Sequence, residues 1–341
     1  MKIVVLAGGL SNERDVSLSS GSKIANALKS KGHDVLLMDL YFGFHDVDNF
    51  DEAINKYGKE EYFYNVPKNE PNLEEIIKQN HGRTIEIGDN VIDICKSSDM
   101  VFLGLHGGIG ENGKLQALFE LNEIKYTGSN FKSSLLAMDK LVSKEIMSQN
   151  GILTPRWTIY NDKNTDLVSA PAVVKPNDNG SNIGVKIAET GEELQKAVQF
   201  AMKYSKDVLI EEQIVGREFS VGILDHEALP IIELIPKQGF YDYENKYQEG
   251  ATEEIVPANI DNQLTNQLQE IALEVFDLLG LSVYGRIDFI VDESNKIYCI
   301  EANSLPGMTP TSLVPQEAES IGIKYEDLCQ KVVELSLKNF K

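Results

Sequence analysis

The stretch Tyr284-Gly-Arg-Ile-Asp-Phe-Ile-Val291, Asp292-Glu-Ser-Asn-Lys296, Ile297-Tyr-Cys-Ile-Glu-Ala-Asn303 decides the fold. Two β-rich runs flank a polar turn, the pattern of a hairpin. Side chains alternate faces along a strand. Arg286 and Asp288 therefore share one face of the first strand, and Glu301 and Asn303 one face of the second. If Ser294-Asn295 is a two-residue turn, Asp288 sits opposite Glu301 and Arg286 opposite Asn303. The reverse face carries Ile287, Phe289, Ile300 and Ala302, an apolar set suited to a core. The polar face holds two carboxylates, an amide and a guanidinium. Hard oxygen donors in such a cluster suit Mg²⁺, which is commonly held by one or two carboxylates plus substrate phosphates. A solvated face with cross-strand charge pairs is the ordinary alternative. The residues downstream favour the first reading. Gly307 and Thr309-Pro-Thr-Ser-Leu313 put a turn and a helix start beside the acidic cluster, and the N–H groups of a helix start form an anion site. Metal-ligand candidates next to an anion site point to phosphate or carboxylate chemistry.

Working outward, Lys2–Ala7 reads as a buried strand broken by Gly8-Gly9. Val16–Lys31 has helical spacing, and His33–Leu40 is a second buried strand. This strand–helix–strand opening predicts an α/β fold with a parallel, doubly wound sheet. Residues 41–95 are polar, with helical signal at Glu52–Tyr57 and Leu73–Asn80. Met100–Leu105 is a third strand and Lys114–Leu121 a helix. A boundary at Tyr126–Asn130 follows. Ser133–Gln149 reads as one long helix. Trp157–Tyr160, Ala172–Lys175, Gly184–Ile187, Val208–Glu212, Glu218–Leu224 and Leu229–Leu234 read as strands. Glu192–Tyr204, Asn262–Leu279 and Tyr325–Leu337 read as helices. The aperiodic segment 236–257 is long enough to be a functional loop. The expected division is an N-terminal Rossmann-like domain over 1–128, a central part over 129–210 and a C-terminal part over 211–341.

Composition sets the function classes. With 32 basic and 53 acidic residues the net charge is −21. That argues against nucleic-acid or anionic-membrane partners, which need a basic surface. Cys95, Cys299 and Cys329 form no paired motif, which suits a reducing compartment and neither a disulfide scaffold nor a zinc site. The N-terminus is broken by glycine too early for a signal peptide. No window approaches the roughly 18 apolar residues of a membrane span. A cytoplasmic location is the expectation.

Several motifs carry chemistry. Gly108-Ile-Gly-Glu-Asn-Gly113 matches G-x-G-x-x-G, but a dinucleotide fingerprint belongs to the first strand of its unit, and this loop follows a later one. With Lys114 it approaches a P-loop, except that Leu115 stands where Ser or Thr must hold Mg²⁺ and Glu111 puts a negative charge in the cradle. Asn179-Gly-Ser-Asn-Ile-Gly184 is either an ordinary hairpin turn or a flap laying N–H groups over phosphates. Lys175, just before it, is either a phosphate cation or a snorkelling lysine. Gly8-Gly-Leu-Ser-Asn-Glu13-Arg14 sits at a strand's C-terminal end, where open α/β sheets bind ligands. Glu13 there is a candidate for a substrate ammonium, or a carboxylate favoured by a helix dipole. His106 also ends a strand. No Ser or Cys nucleophile with its own base stands out.

Together these motifs resemble the D-alanine–D-alanine ligase family of the ATP-grasp superfamily. The matching blocks are Gly8–Leu18, His106–Gly113, Met138-Asp-Lys140, Val174-Lys-Pro176 with Gly180–Gly184, and Glu211–Glu218. Tyr241–Tyr247, Arg286–Phe289 and Glu301–Thr309 complete the set, in family order across nearly the whole chain. The resemblance implies that Lys140, Lys175 and the flap Gly180–Gly184, with Gly180 and Ser181, hold the ATP phosphates, and that Lys246 binds ATP. It assigns Glu211, Ile214 and Glu218 to adenine and ribose. It implies two Mg²⁺ on Asp288, Glu301 and Asn303, with Mn²⁺ as a substitute and a monovalent cation as a further option. Glu13, linked to Ser181 and Tyr247, would bind the first D-alanine ammonium near His106. Arg286 and the Gly307 N–H would stabilise a tetrahedral oxyanion, and Ser312 and Leu313 would receive the second carboxylate. A homodimer is also implied. The family's usual residues differ at Asn182, Asn112 and Ala302. Competing readings are a ligase joining D-alanine to D-serine or D-lactate, a non-catalytic binding homologue, and a dehydrogenase built on Gly108–Gly113.

Overall fold

The computed structural model describes residues 1–67, 71–160, 168–180, 182–237 and 252–340. The chain opens with β1 (Lys2–Ala7), α1 (Arg14–Ser30), β2 (Asp34–Asp39), α2 (Phe50–Tyr57), α3 (Leu73–Gln79), α4 (Val91–Lys96), β3 (Met100–Leu103) and α5 (Lys114–Leu121). Next come α6 (Phe131–Met138), α7 (Lys140–Gln149), β4 (Trp157–Tyr160), β5 (Ala172–Pro176), β6 (Lys186–Ala188), α8 (Gly191–Ala201) and β7 (Val208–Glu212). It closes with β8 (Gly216–Leu224), β9 (Glu227–Ala228), β10 (Ile232–Pro236), β11 (Thr252–Ile255), α9 (Asn262–Leu278), β12 (Tyr284–Asp292), β13 (Ile297–Asn303), α10 (Leu313–Ser320) and α11 (Tyr325–Lys338).

One compact unit comprises Met1–Ser134, Ser282–Tyr284 and Leu305–Lys341. Its described sheet has the order β2-β1-β3, all parallel, with Ile3 opposite both Val35 and Met100. Ile3 to Ala7 are wholly buried, as a continuous apolar run in a sheet covered on both faces requires. Helix α1 lies close on β1 because Gly21 has no side chain: a Cβ there would stand 2.6 Å from that of Ala7. Lys31 and Asp327, at 2.5 Å, and His33 and Gln330, at 2.7 Å, tie the end of α1 to α11. Because β1 sits between β2 and β3, the crossovers leave it in opposite directions. The C-terminal ends of β1 and β3 therefore form the switch point at which open α/β sheets bind ligands.

The second unit comprises Leu135–Leu281 and Gly285–Ser304. Its larger sheet runs β11-β10-β8-β12-β13, with β9 on β8. Leu268, Ala272, Val275 and Phe276 of α9 share one apolar core with Phe219, Val221, Ile287 and Phe289 of this sheet. The smaller sheet is antiparallel, in the order β4-β7-β5-β6. Leu194, Ala197, Val198 and Ala201 of α8 cover its Val174, Ala188 and Val208.

Local patterns misread three places. The helix expected over Ser133–Gln149 breaks at Asp139, which turns extended and accepts a hydrogen bond from the Val142 N–H at 3.1 Å. Asn177 fixes the break: its amide donates to Asp139 at 2.8 Å and accepts from the Leu141 N–H at 2.8 Å. The strand expected over Leu229–Leu234 is paired from Ile232 to Pro236, because Pro230 has no N–H to start the ladder. In the hairpin, the Asp292 N–H donates to the Lys296 carbonyl at 3.1 Å, so three residues make the turn, not two. A β-bulge between Asp288 and Phe289 restores the register: Phe289 faces Cys299, Asp288 faces Glu301, and Ile300 is the extra residue. The two departures cancel, so both expected facing pairs form. The cost is that Cys299, wholly buried, takes the core position expected for Ile300.

Candidate active site

In the second unit, the hairpin's polar face is built around Asp288. Arg286 clamps it in a bidentate pair, Nε to Oδ1 and Nη2 to Oδ2, both at 2.8 Å. Asn303 donates to Oδ2 at 3.0 Å and Ser220 donates to Oδ1 at 2.5 Å. Fork-to-fork pairs of this kind fix orientation as well as charge. Glu301 lies across the ladder from Asp288, with Lys140 Nζ 3.7 Å from its Oε2. Lys140 also donates to the Asn179 carbonyl at 2.6 Å. The break at Asp139 puts Lys140 at the first position of α7, and the Asn177 carbonyl accepts from its N–H at 3.2 Å.

Asp288, Glu301 and Asn303 offer the hard oxygens that Mg²⁺ prefers. Among the described residues no three His, Cys, Asp or Glu side chains gather to hold a metal. A divalent ion held by this set would complete its shell with phosphate oxygens. Glu218 is half-buried on β8; burial, with the Asp288 charge nearby, pushes its carboxyl up to about 7.

On the smaller sheet, Glu211 faces Val173 and lies diagonally from Lys175, so the two charged side chains share a face. Lys175 Nζ is 2.5 Å from Glu211 Oε2, and Lys144 Nζ is 2.8 Å from Oε1. Burial raises the Glu211 carboxyl, but the two ammonium charges outweigh it and hold the group below the usual carboxylate range. Ile214 is half-buried just beyond β7. In the glycine-rich loop Asn182 has φ 58°, a left-handed conformation that Asn tolerates. Gly180 accepts from the Ile183 N–H at 3.2 Å. Ser181, Lys246, Tyr247 and most of the expected loop over 236–257 lie outside the described residues.

In the first unit, Arg14 pins the loop after β1. It donates to the Gly9 carbonyl at 2.7 Å and pairs with Asp39. Gly8 is required here: its φ is +74° and a Cβ would meet Asp39 at 2.4 Å. The Ser11 hydroxyl donates to the His106 carbonyl at 2.7 Å, which joins this loop to the one after β3. Glu13 is buried, and a Cβ on Gly107 would stand 2.8 Å from its Oε2. Glu13 and His106 thus meet at the switch point. His106 shares a hydrogen bond with Ser20 at 3.0 Å and has Glu111 3.9 Å from Nδ1. Ser20 is wholly buried in α1 and cannot meet a substrate. Elsewhere in this unit, Ser312 stands before α10, with Oγ accepting from the Thr309 N–H at 3.0 Å. A Cβ on Gly307 would lie 2.9 Å from that Oγ, and Leu313 is buried.

Motif reading missed Lys144, Asn177 and Ser220. Lys144 follows Lys140 by one helical turn, and Ser220 follows Glu218 by one strand period. Those spacings were the available signals. Asn177 acts on residues 38 positions away, which no local pattern reveals.

In family comparisons, residues 2–129 match the model described as D-ala D-ala ligase N-terminus, and residues 149–334 the model described as D-ala D-ala ligase C-terminus. The D-alanine--D-alanine ligase of Pediococcus pentosaceus is 45% identical over 342 residues, covering 98% of this chain and 97% of its own. That of Lacticaseibacillus casei is 41% identical, covering 99% and 96%. A crystal structure of the Bacillus anthracis D-alanine--D-alanine ligase complexed with ATP aligns at a TM-score of 0.74 and 28% identity, over 100% of this chain and 98% of that one.

Proposed function

Because the chain belongs to the D-alanine–D-alanine ligase family, we propose that it joins two D-alanines at the expense of ATP, supplying D-alanyl-D-alanine for peptidoglycan precursors. The observation that carries the reading is the hairpin face, where Arg286, Asp288, Glu301 and Asn303 converge with Lys140 3.7 Å from Glu301. Lys140 and Lys175 are the cations for the ATP phosphates, with Gly180 in the flap above them. Asp288, Glu301 and Asn303 are the residues for divalent metal, which when bound neutralises phosphate charge and leaves an in-line path at the γ-phosphorus. Glu211, Ile214 and Glu218 take the nucleoside. Glu13 takes the first D-alanine ammonium with His106 beside it. Ser312 and Leu313 take the second carboxylate.

The chemistry then runs in two steps. A carboxylate oxygen of the first D-alanine attacks the γ-phosphorus, the bond to the β-phosphate oxygen breaks, and ADP leaves. The free amine of the second D-alanine attacks the acyl phosphate carbonyl, with Arg286 and the Gly307 N–H on the oxyanion. Inorganic phosphate departs as the peptide bond forms, and the amine proton is lost. No protein nucleophile is required; positioning and preorganised charge supply the rate. The reading extends to a homodimer in the cytoplasm, which light scattering and cell fractionation would check. The main test measures phosphate release from ATP and Mg²⁺ with and without D-alanine, with products identified by mass. D-Alanine-dependent release with the dipeptide is expected. A mixed product with D-serine or D-lactate would reassign the second substrate, and a folded protein that binds ATP without releasing phosphate would overturn catalysis.

A further inference from the structure

Lys144 lies one turn after Lys140, yet it is the only one of the two that is wholly buried. Its ammonium donates to the Thr154 hydroxyl and to the Pro155 carbonyl at 3.4 Å, and it forms an ion pair with Glu211 Oε1 at 2.8 Å. The indole of Trp157 adds a fourth contact, its centroid 5.4 Å from Nζ. The ammonium is wholly buried among these partners, so Lys144 does not reach a phosphate. Lys175 differs: among the described residues its Nζ forms one ion pair, with the other oxygen of the same Glu211 carboxylate, at 2.5 Å. A single buried carboxylate thus bridges a fixed cation and a cation assigned to the nucleotide.

The geometry points to Lys144 as a positioning residue for nucleotide binding, the fixed counter-charge that keeps Glu211 anchored so that Lys175 can exchange Glu211 for a phosphate oxygen. This inference rests on the assignment of Lys175 to the ATP phosphates. An isolated carboxylate in a desolvated site is strongly disfavoured. Without Lys144, Glu211 would depend on Lys175 alone and hold it back from the ligand. With Lys144 in place, Glu211 keeps one cation whichever partner Lys175 takes. Its anchored carboxylate also remains available as an acceptor for a nucleobase amine.

The test is ADP affinity by calorimetry, together with the KM for ATP and for D-alanine, in Lys144→Met and in Thr154→Val. Thr154→Val removes one acceptor from the ammonium at nearly constant volume, so it serves if Lys144→Met does not fold. Lys144→Met is expected to weaken ADP binding and raise the ATP KM by about tenfold, the scale of one hydrogen bond to a charged group, with the D-alanine KM unchanged. Thr154→Val should move the same constants in the same direction by a smaller factor. In Lys144→Met/Glu211→Gln the loss should be no greater than in Glu211→Gln alone, since Lys144 acts through that carboxylate. A folded Lys144→Met, or failing that Thr154→Val, with the parent's ADP affinity and ATP KM overturns the inference, even if its melting temperature falls. If the unaltered protein binds ADP but makes no dipeptide, the ligase reading fails while the positioning role is still measured by calorimetry. If it does not bind ADP, both fail.

Discussion

At the residue scale, Asp288 and Glu301 face each other yet have different surroundings. Asp288 accepts from Arg286, Asn303 and Ser220, and Glu301 stands 3.7 Å from Lys140 with a quarter of its side chain exposed. Glu301→Gln keeps the side chain's volume on a partly exposed face, so it should disturb the ligand more than the fold. Glu301→Gln is expected to lower Mg²⁺-dependent kcat by about 100-fold or more, the scale of one preorganised electrostatic contact, with an unchanged circular-dichroism spectrum. Parent-level turnover would remove Glu301 from the metal assignment. Ser220→Ala removes one of the two donors to Asp288 Oδ1 and is expected to shift the Mg²⁺ dependence by a smaller factor, measured by titrating Mg²⁺ against rate. The identities of these residues were legible in the sequence, because two strand periods put them on one face. Ser220 and Lys144 were not, because a serine and a lysine acquire their roles only from neighbours far along the chain.

At the scale of single elements, two irregularities do the positioning. The hairpin's three-residue turn and its bulge together return Asp288 to Glu301, and they move Cys299 into the core in place of Ile300. Urea unfolding separates the two positions. Cys299→Asp is expected to cost about 3 kcal/mol or more, as a buried unpaired charge does. Ile300→Thr should cost less than about 1 kcal/mol, within the range of partly exposed substitutions. The reverse order would return Ile300 to the core. The second irregularity is the helix break at Asp139. Asp139→Ala removes a cap and should cost about 1 kcal/mol. It should also raise the ATP KM, because Lys140 is the first residue the cap organises. Loss of stability with an unchanged ATP KM would leave the break without a part in binding.

At the scale of the whole molecule, electrostatics sets the response to acid. The Glu211 carboxyl is held below its free value of 4.5 by Lys144 and Lys175 despite burial. Its contribution to stability is complete above that value and is lost as pH falls through the lower folded value. The urea midpoint should therefore decline below about pH 4.5, and Lys144→Met/Glu211→Gln should decline less steeply over the same range. Equal slopes would show that the trio carries no linkage. The sequence alone determined the α/β class, the parallel opening sheet and the family, because buried strands, glycine-bearing strand ends and spaced charged residues are written locally. It also determined which side chains share the hairpin's polar face, since alternation is a property of every strand. Only the tertiary structure decided how Lys140 is set, through an Asn177 that donates to the helix cap Asp139, 38 residues away, and that a bulge rather than a tight turn fixes the hairpin register. It alone decided that Glu211 joins two lysines. Those outcomes depend on packing and hydrogen bonds between distant segments, whose free energies exist only once the chain has folded.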